Sequence, residues 1–187
     1  MIPLIVLGVI VLAFFGWVIG TFNGLVRLRT HTDESWAGID TELTRRYDLI
    51  PNLVEVCKGY AEHEKTVFDQ VTQARASAIA EANGVLPQAQ RENALTGSLN
   101  SLFAVSEAYP DLKASEHFLA LQDQLANTED RIQAARRFYN ANVRDLNTRV
   151  QQFPSSIIAS MFGFTNADYF QVDQAAVRAN PQVDLGS

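Results

Sequence analysis

The residues of this chain that are best suited to catalysis do not form a recognised catalytic pattern. His63 and Glu64 begin the HExxH pattern of zinc proteases, but Val67 stands where the second histidine is needed. Di-iron sites in helical bundles need Glu-x-x-His pairs, and no histidine stands three positions after Glu42, Glu64 or Glu129. Glycine-rich phosphate loops and kinase motifs are also missing from the sequence. The sequence therefore predicts no catalytic residue, no cofactor and no metal site, and a protein that is not an enzyme.

Two clusters of polar residues are nevertheless oddly placed for solvent-facing positions. Glu64 and Arg75 lie on or beside an apolar helix stripe, where a lone charge is costly. Glu129 and Arg136 share one face of a later predicted helix and are candidate partners across the bundle, in a network that fixes helix register. The alternatives are a surface for partner docking or self-assembly, and a ligand site. The two clusters comprise Arg45, Arg46, Asp48, Pro51, Asn52, Glu64, Arg75, Glu129, Arg136, Tyr139 and Asn140.

A third group of residues is apolar and follows the last long predicted helix. We expect these side chains to cap one end of the bundle. The alternatives are a contact between subunits and a shallow contact with the membrane. The group comprises Ile157, Ile158, Met161, Phe162, Phe164 and Phe170.

The first element that must position these residues is an apolar segment at the start of the chain. No charged residue precedes Arg27, and the segment is dense in Ile, Leu, Val and Phe. About 20 such residues span a bilayer as a helix, so residues 1–26 are predicted to be a transmembrane anchor. A signal peptide is the first alternative, although the run is too long and lacks a basic start; a buried core helix is the second. Because Arg27 and Arg29 flank only the C-terminal side, we expect the N-terminus outside and the bulk of the chain in the cytoplasm, at the inner cell membrane.

The residues after the anchor are predicted to be helical throughout. Apolar residues at three-four spacing predict long helices over residues 33–82, 88–108 and 112–152. A short helix is expected over 157–162, with Ser155 or Ser156 as its N-cap and Gly163 at its end. Pro51 predicts a kink in the first helix. The predicted fold class is all-α: a transmembrane helix, an antiparallel bundle of three long helices and a short C-terminal helix over residues 27–170, and a flexible tail over 171–187.

Composition excludes two further classes of protein. The net charge of −6 provides no basic surface for a phosphate backbone, so nucleic acid is not an expected partner. The single cysteine, Cys57, excludes an internal disulfide framework. Because Cys57 lies within an apolar-periodic stretch, we expect a buried thiol rather than a reactive one.

The order and spacing of the motifs resemble the LemA family. The most specific run is RRYDLIPNLV at residues 45–54, followed by YPDL at 109–112, FPS at 153–155 and FGF at 162–164. Together with the preceding apolar segment, the resemblance covers roughly residues 20–170. It implies a membrane-anchored helical bundle of wide bacterial occurrence, and it implies no reaction.

These observations favour a single-pass membrane protein whose bundle serves as a module for assembly or protein interaction. Three helices of such unequal length cannot cover one another's apolar stripes along their full length. A bend at Pro51, residues 155–170 folding back as a fourth helix, or neighbouring subunits must cover the remainder, and self-association is the hypothesis that we favour. The bilayer is the other expected partner. The alternative function is that of a sensory or adaptor protein, in which the anchor passes a signal to a membrane or cytoplasmic partner protein.

Overall fold

The computed structural model describes residues 2–80 and 84–171, and within these ranges every regular element is a helix. The six helices are α1 (Ile2–Lys58), α2 (Lys65–Ile79), α3 (Val85–Ser106), α4 (Pro110–Lys113), α5 (Glu116–Gln151) and α6 (Ser155–Met161). The prediction of an all-α fold that begins with a long apolar helix is confirmed. The antiparallel arrangement of the long helices stays a prediction.

Helix α1 contains both the apolar segment and the residues that follow it, without a break. Its 57 residues correspond to a length of about 85 Å. Within residues 2–20, every side chain except that of Val18 is exposed. In the part of the chain that the structure describes, α1 alone is long and apolar enough to cross a membrane. The helix passes through Pro51 without interruption, and the kink expected there stays a prediction.

The prediction of one helix over residues 33–82 is wrong between α1 and α2. α1 ends at Lys58, and α2 begins only at Lys65. Gly59 is a poor helix former, and the amide of Tyr60 donates to the carbonyl of Cys57 (3.1 Å), which tightens the chain into a turn. The turn carries the buried Ala61 and allows α2 to return along α1, where it contacts Tyr47.

The remaining helices differ from the predictions mainly at their ends. The third predicted helix is divided into α4, with Pro110 at its first position, and α5. Gly163 ends the region of α6, as predicted: its φ is 73°, and the amide of Phe164 donates to the carbonyl of Ala159 (2.9 Å). The predicted serine N-cap is wrong, because Pro154 holds that position and the Ser155 hydroxyl donates to carbonyls at the end of α5.

The chain divides into two compact units, which are described separately. Unit 1 comprises residues 2–43 and Thr128–Tyr169; unit 2 comprises Thr44–Asn127 and the described residues 170–171. Buried side chains of unit 1 include Leu25, Ile39, Ile132, Tyr139, Val143 and Ile158. Those of unit 2 include Ile50, Leu53, Cys57, Phe68, Leu95, Leu102 and Phe118. The domain limits at residues 26 and 170 stay predictions, and residues 172–187 of the predicted tail lie outside the described residues.

Candidate functional site

The centre of unit 2 is an ion pair between α1 and α3. The Arg46 guanidinium contacts the Glu92 carboxylate, and both side chains are only 4% exposed. Arg46 also donates from Nη1 to the Thr96 hydroxyl (3.4 Å). Two opposite charges removed from water in this way are stable only as a pair with further hydrogen bonds. The role of Arg46 in the motif is therefore structural: it neutralises the buried Glu92 carboxylate.

Neutral groups complete the surroundings of the Glu92 carboxylate. The Tyr47 hydroxyl donates to Glu92 and lies 3.4 Å from the carbonyl oxygen of Ala78. Gln88 Nε2 donates to Glu92 Oε1 (2.8 Å), to the Tyr47 hydroxyl (3.1 Å) and to the Ala78 carbonyl (3.1 Å). Side chains from α1 and α3 and a carbonyl from α2 therefore meet in one polar network.

Glu92 is a buried site residue that was not predicted, although the sequence carries a signal for it. Glu92 precedes Leu95 by three positions and Leu99 by seven, so it lies on the buried stripe of α3. A carboxylate at such a position needs a cationic partner. The partner, Arg46, lies 46 positions earlier in the chain.

Arg75 donates a hydrogen bond to a carbonyl oxygen of α1 that has no helical donor because of Pro51. Proline has no N–H to donate to the carbonyl four residues earlier, which is that of Tyr47. Arg75 Nε donates to this carbonyl oxygen instead, at 2.7 Å. One side chain of α2 thus supplies the hydrogen bond that α1 cannot make for itself.

Next to Pro51, α1 and α2 border a cavity of about 320 Å³. Its apolar floor includes Ile50 and Val54, and the charged groups at its edge belong to Glu55, Lys58 and Arg75. Within the described residues there is no group of three or more His, Cys, Asp or Glu side chains that could hold a metal ion. The cavity therefore offers mixed charges around an apolar surface rather than a set of metal ligands.

The surroundings of Tyr109 and Cys57 in unit 2 raise the pKa of both side chains. The Tyr109 hydroxyl donates to Glu64 Oε1 (3.1 Å), and this hydrogen bond raises the pKa of Tyr109. Cys57 is buried, as predicted, and desolvation raises the pKa of its thiol to about 11. A thiol with such a pKa is a poor nucleophile at neutral pH.

In unit 1, Tyr139 and Asn147 on α5 hold the segment that follows α6. The Tyr139 hydroxyl donates to the Asp168 carbonyl oxygen (2.9 Å), and its ring meets Trp36 edge-on at 5.5 Å. The Asn147 side-chain amide donates to the Ala167 carbonyl (2.9 Å) and accepts from the Ala167 amide (2.8 Å). Burial, and then the charges of Asp168 and Asp33, raise the pKa of Tyr139 to about 12.

Glu129, Gln133 and Arg136 are linked by hydrogen bonds along α5. Gln133 Nε2 donates to Glu129 Oε1 (2.7 Å), and Arg136 Nη1 donates to Gln133 Oε1 (3.2 Å). Asn140 is half-buried. The proposed pairing of Glu64 and Arg75 with Glu129 and Arg136 stays a prediction.

The 45–54 motif has an outward as well as an inward face. Whereas Arg46 and Tyr47 are buried in the network, four other motif residues are exposed on α1: Arg45, Asp48, Pro51 and Asn52. The motif therefore combines residues that hold unit 2 together with residues that a partner can reach.

The six predicted apolar residues divide into buried and exposed side chains. Ile158 packs with Ala159 against Leu25, and the partly buried Phe164 joins this cluster together with Val18, Phe22 and Val150. Phe170 is buried in unit 2. The remaining three are exposed large hydrophobic residues: Ile157 (52%), Met161 (70%) and Phe162 (52%).

Comparison with known proteins identifies the same family as the sequence motifs. The family model described as "LemA family" matches residues 35–185. Magnetosome protein MamQ 2 of Paramagnetospirillum magneticum is 26% identical, over 86% of this chain and 68% of its own length. Magnetosome protein MamQ of Magnetospirillum gryphiswaldense is 22% identical, over 84% and 67% respectively. Protein LemA of Metamycoplasma hominis is 26% identical, over 86% and 74% respectively. Because the family model covers most of the sequence and the motifs agree with it, this chain belongs to the LemA family.

Proposed function

We propose that this chain is a single-pass membrane protein without catalytic activity, whose helical units associate with copies of themselves at the membrane. The observation that carries the proposal is the continuity of α1. Its first third is apolar and exposed, and its later residues enter the cores of both units. An exposed apolar helix of this length needs lipid or another apolar helix to cover it.

In this proposal residues 1–26 span the inner cell membrane. The N-terminus lies outside and the bulk of the chain lies in the cytoplasm, because the first basic residues, Arg27 and Arg29, follow the apolar segment. The proposal requires no cofactor and no nucleic acid.

Glycines in the apolar part of α1 support association between copies. Gly16, Gly20 and Gly24 follow one another at intervals of four residues, and a Cβ atom built on any of them meets no other atom within 4 Å. In membranes, small residues at this spacing allow two helices to pack closely. The open glycine face is therefore suited to a second copy of α1.

The names of the relatives also favour an assembly role over a reaction. Two are named as magnetosome proteins and one as protein LemA, and neither name describes a reaction. We infer from the family that this chain acts at a membrane through contacts rather than chemistry.

The mass of the full-length chain in lipid nanodiscs tests self-association. We expect assemblies at multiples of 20.7 kDa. A Gly20→Ile substitution should weaken association about tenfold, since it separates the two helices. Val11→Phe adds bulk on the opposite side of the same helix, about 180° around from Gly20, and should have little effect. A monomer at every protein-to-lipid ratio would contradict the proposal.

The adaptor function remains the second candidate, because the outward face of the 45–54 motif is accessible on the same helix that carries the anchor. A photo-crosslinker placed at Asp48 or Asn52 in native membranes separates the two functions. Self-association gives adducts at multiples of 20.7 kDa, whereas an adaptor gives an adduct of another mass. The same crosslinker at the exposed Gln73 on α2 is the control.

A further inference from the structure

We propose that α6 lies in the interfacial layer of the bilayer, with its exposed apolar side chains inserted into lipid beside α1. This inference rests on the proposed membrane anchor and adds a second membrane contact to it. The surface in question consists of Ile157, Met161 and Phe162, and we call it the α6 face.

The position of the α6 face follows from its contacts with the apolar part of α1. The centroid of the Phe22 ring lies 4.8 Å from that of Phe162 and 5.8 Å from that of Phe164. Ile158 packs on Leu25, with Val18 at the edge of the same cluster. α6 is therefore held against the last turns of the apolar segment, before the first charged residue of the chain.

The depth of this contact agrees with that of an interfacial helix. Phe22 precedes Arg27 by five residues, or about 7 Å along α1. Interfacial helices bury their apolar faces about 5–10 Å below the headgroup boundary. If Arg27 marks the level of the headgroups, Phe162 lies within that layer, and this result does not depend on which side of the membrane holds the body of the protein.

The composition around α6 fits the same environment. No charged residue lies between Arg149 and Asp168, which is the longest uncharged run outside the anchor. Ile157 and Met161 are one helical turn apart, so their exposed side chains share a side of α6. Ser160 is also exposed and lies about 60° around the helix from Ile157, so it stands at the border of this face. A lipid surface therefore fits this face, because it covers apolar side chains next to an anchor already surrounded by lipid.

Site-specific fluorescence of the full-length protein in phosphatidylcholine vesicles tests the inference. Each variant carries one environment-sensitive label, in a Cys57→Ala background, at Met161→Cys, Phe15→Cys or, as the control, Asp130→Cys, which is exposed about 30 Å before the end of α5. Phosphatidylcholine brominated on its acyl chains should quench the labels at positions 15 and 161 at least about twofold, and the label at 130 much less. If Met161→Cys folds poorly, as judged by its helical circular dichroism, Ile157→Cys on the same face replaces it.

The outcomes separate this inference from the anchor on which it rests. Quenching at position 15 with the same low quenching at 161 and 130 would leave the anchor in place and overturn the α6 contact. No quenching at position 15 would overturn the anchor and the inference together. A label at 161 that bromine does not quench, combined with disulfide crosslinking between Met161→Cys copies, would assign the α6 face to a second copy and overturn the lipid contact.

Discussion

The two units of this protein bury their polar side chains in different ways. Unit 2 contains a buried ion pair, Arg46 with Glu92, whereas the buried polar side chains of unit 1 are neutral: Thr21, Thr32, Ser35, Thr128, Asn147 and Ser155. Within the described residues, Arg46 and Glu92 are the charged side chains classed as buried. A neutral group needs one or two hydrogen bonds, but a buried charge needs its partner as well. The buried polar side chains of unit 1, which contains the apolar anchor, therefore cost less free energy to remove from water than the ion pair of unit 2.

This difference predicts that unit 2 is more sensitive to the loss of a single polar group. Glu92→Ala should lower the free energy of unfolding by about 3–5 kcal/mol, because it leaves the Arg46 charge buried without its carboxylate. Chemical unfolding of the full chain in detergent measures the change. The exposed pair of Lys113 and Glu107 provides the control: Glu107→Ala should cost less than about 1 kcal/mol.

A double substitution sharpens this prediction. Arg46→Met with Glu92→Leu should recover most of the loss, since it replaces two charges by apolar side chains of similar volume. A Glu92→Ala variant as stable as the parent would contradict the account of unit 2.

In unit 1 the corresponding weak point is the attachment of residues 164–169 to α5. Asn147→Ala removes both hydrogen bonds to Ala167, which should cost about 1–2 kcal/mol locally. We expect hydrogen exchange of the Ala167 amide to accelerate about tenfold, while the amides of unit 2 keep their rates. Gln151→Ala removes one exposed hydrogen bond to Asn166 and should change little. Equal acceleration in both units would argue against a local role for Asn147.

A smaller effect is expected for Arg75, whose contribution depends on Pro51. Arg75→Met should cost about 1 kcal/mol, because the Tyr47 carbonyl loses its donor. In a Pro51→Ala background the alanine amide can donate to the same carbonyl, so the cost of Arg75→Met should fall toward zero. A double-mutant cycle on unfolding free energies measures this coupling. Strictly additive effects would show that Arg75 does not substitute for the missing amide.

Alkaline pH should weaken both units, although the effect is absent at neutral pH. The pKa of Cys57 in the folded chain is about 11 against an ordinary value of 9.0, and that of Tyr139 is about 12 against 10.0. The folded chain therefore keeps protons that the unfolded chain releases, and the free energy of unfolding falls as pH rises above about 9. Cys57→Ala should reduce this decline between pH 9 and 11 and leave the part due to Tyr139. An unchanged slope in Cys57→Ala would contradict the assignment.

The same comparison explains what the sequence could and could not predict. The apolar segment, the helical stretches and the stop at Gly163 follow from local composition and were predicted. The break after Lys58 was missed, because apolar spacing continues across Gly59 to Ala61 and only the return of α2 shows where the helix must end. Local periodicity could have placed Glu92 on the buried stripe of α3, but it could not specify the partners of Glu92 and Ala167, which lie 46 and 20 positions away.

The proposed function and the α6 contact both depend on one claim, that the apolar part of α1 is embedded in lipid. Extraction of native membranes with alkaline carbonate, which removes peripheral proteins, tests it most directly. We predict that the full-length chain stays in the membrane pellet. Release of the intact chain into the supernatant would contradict the account.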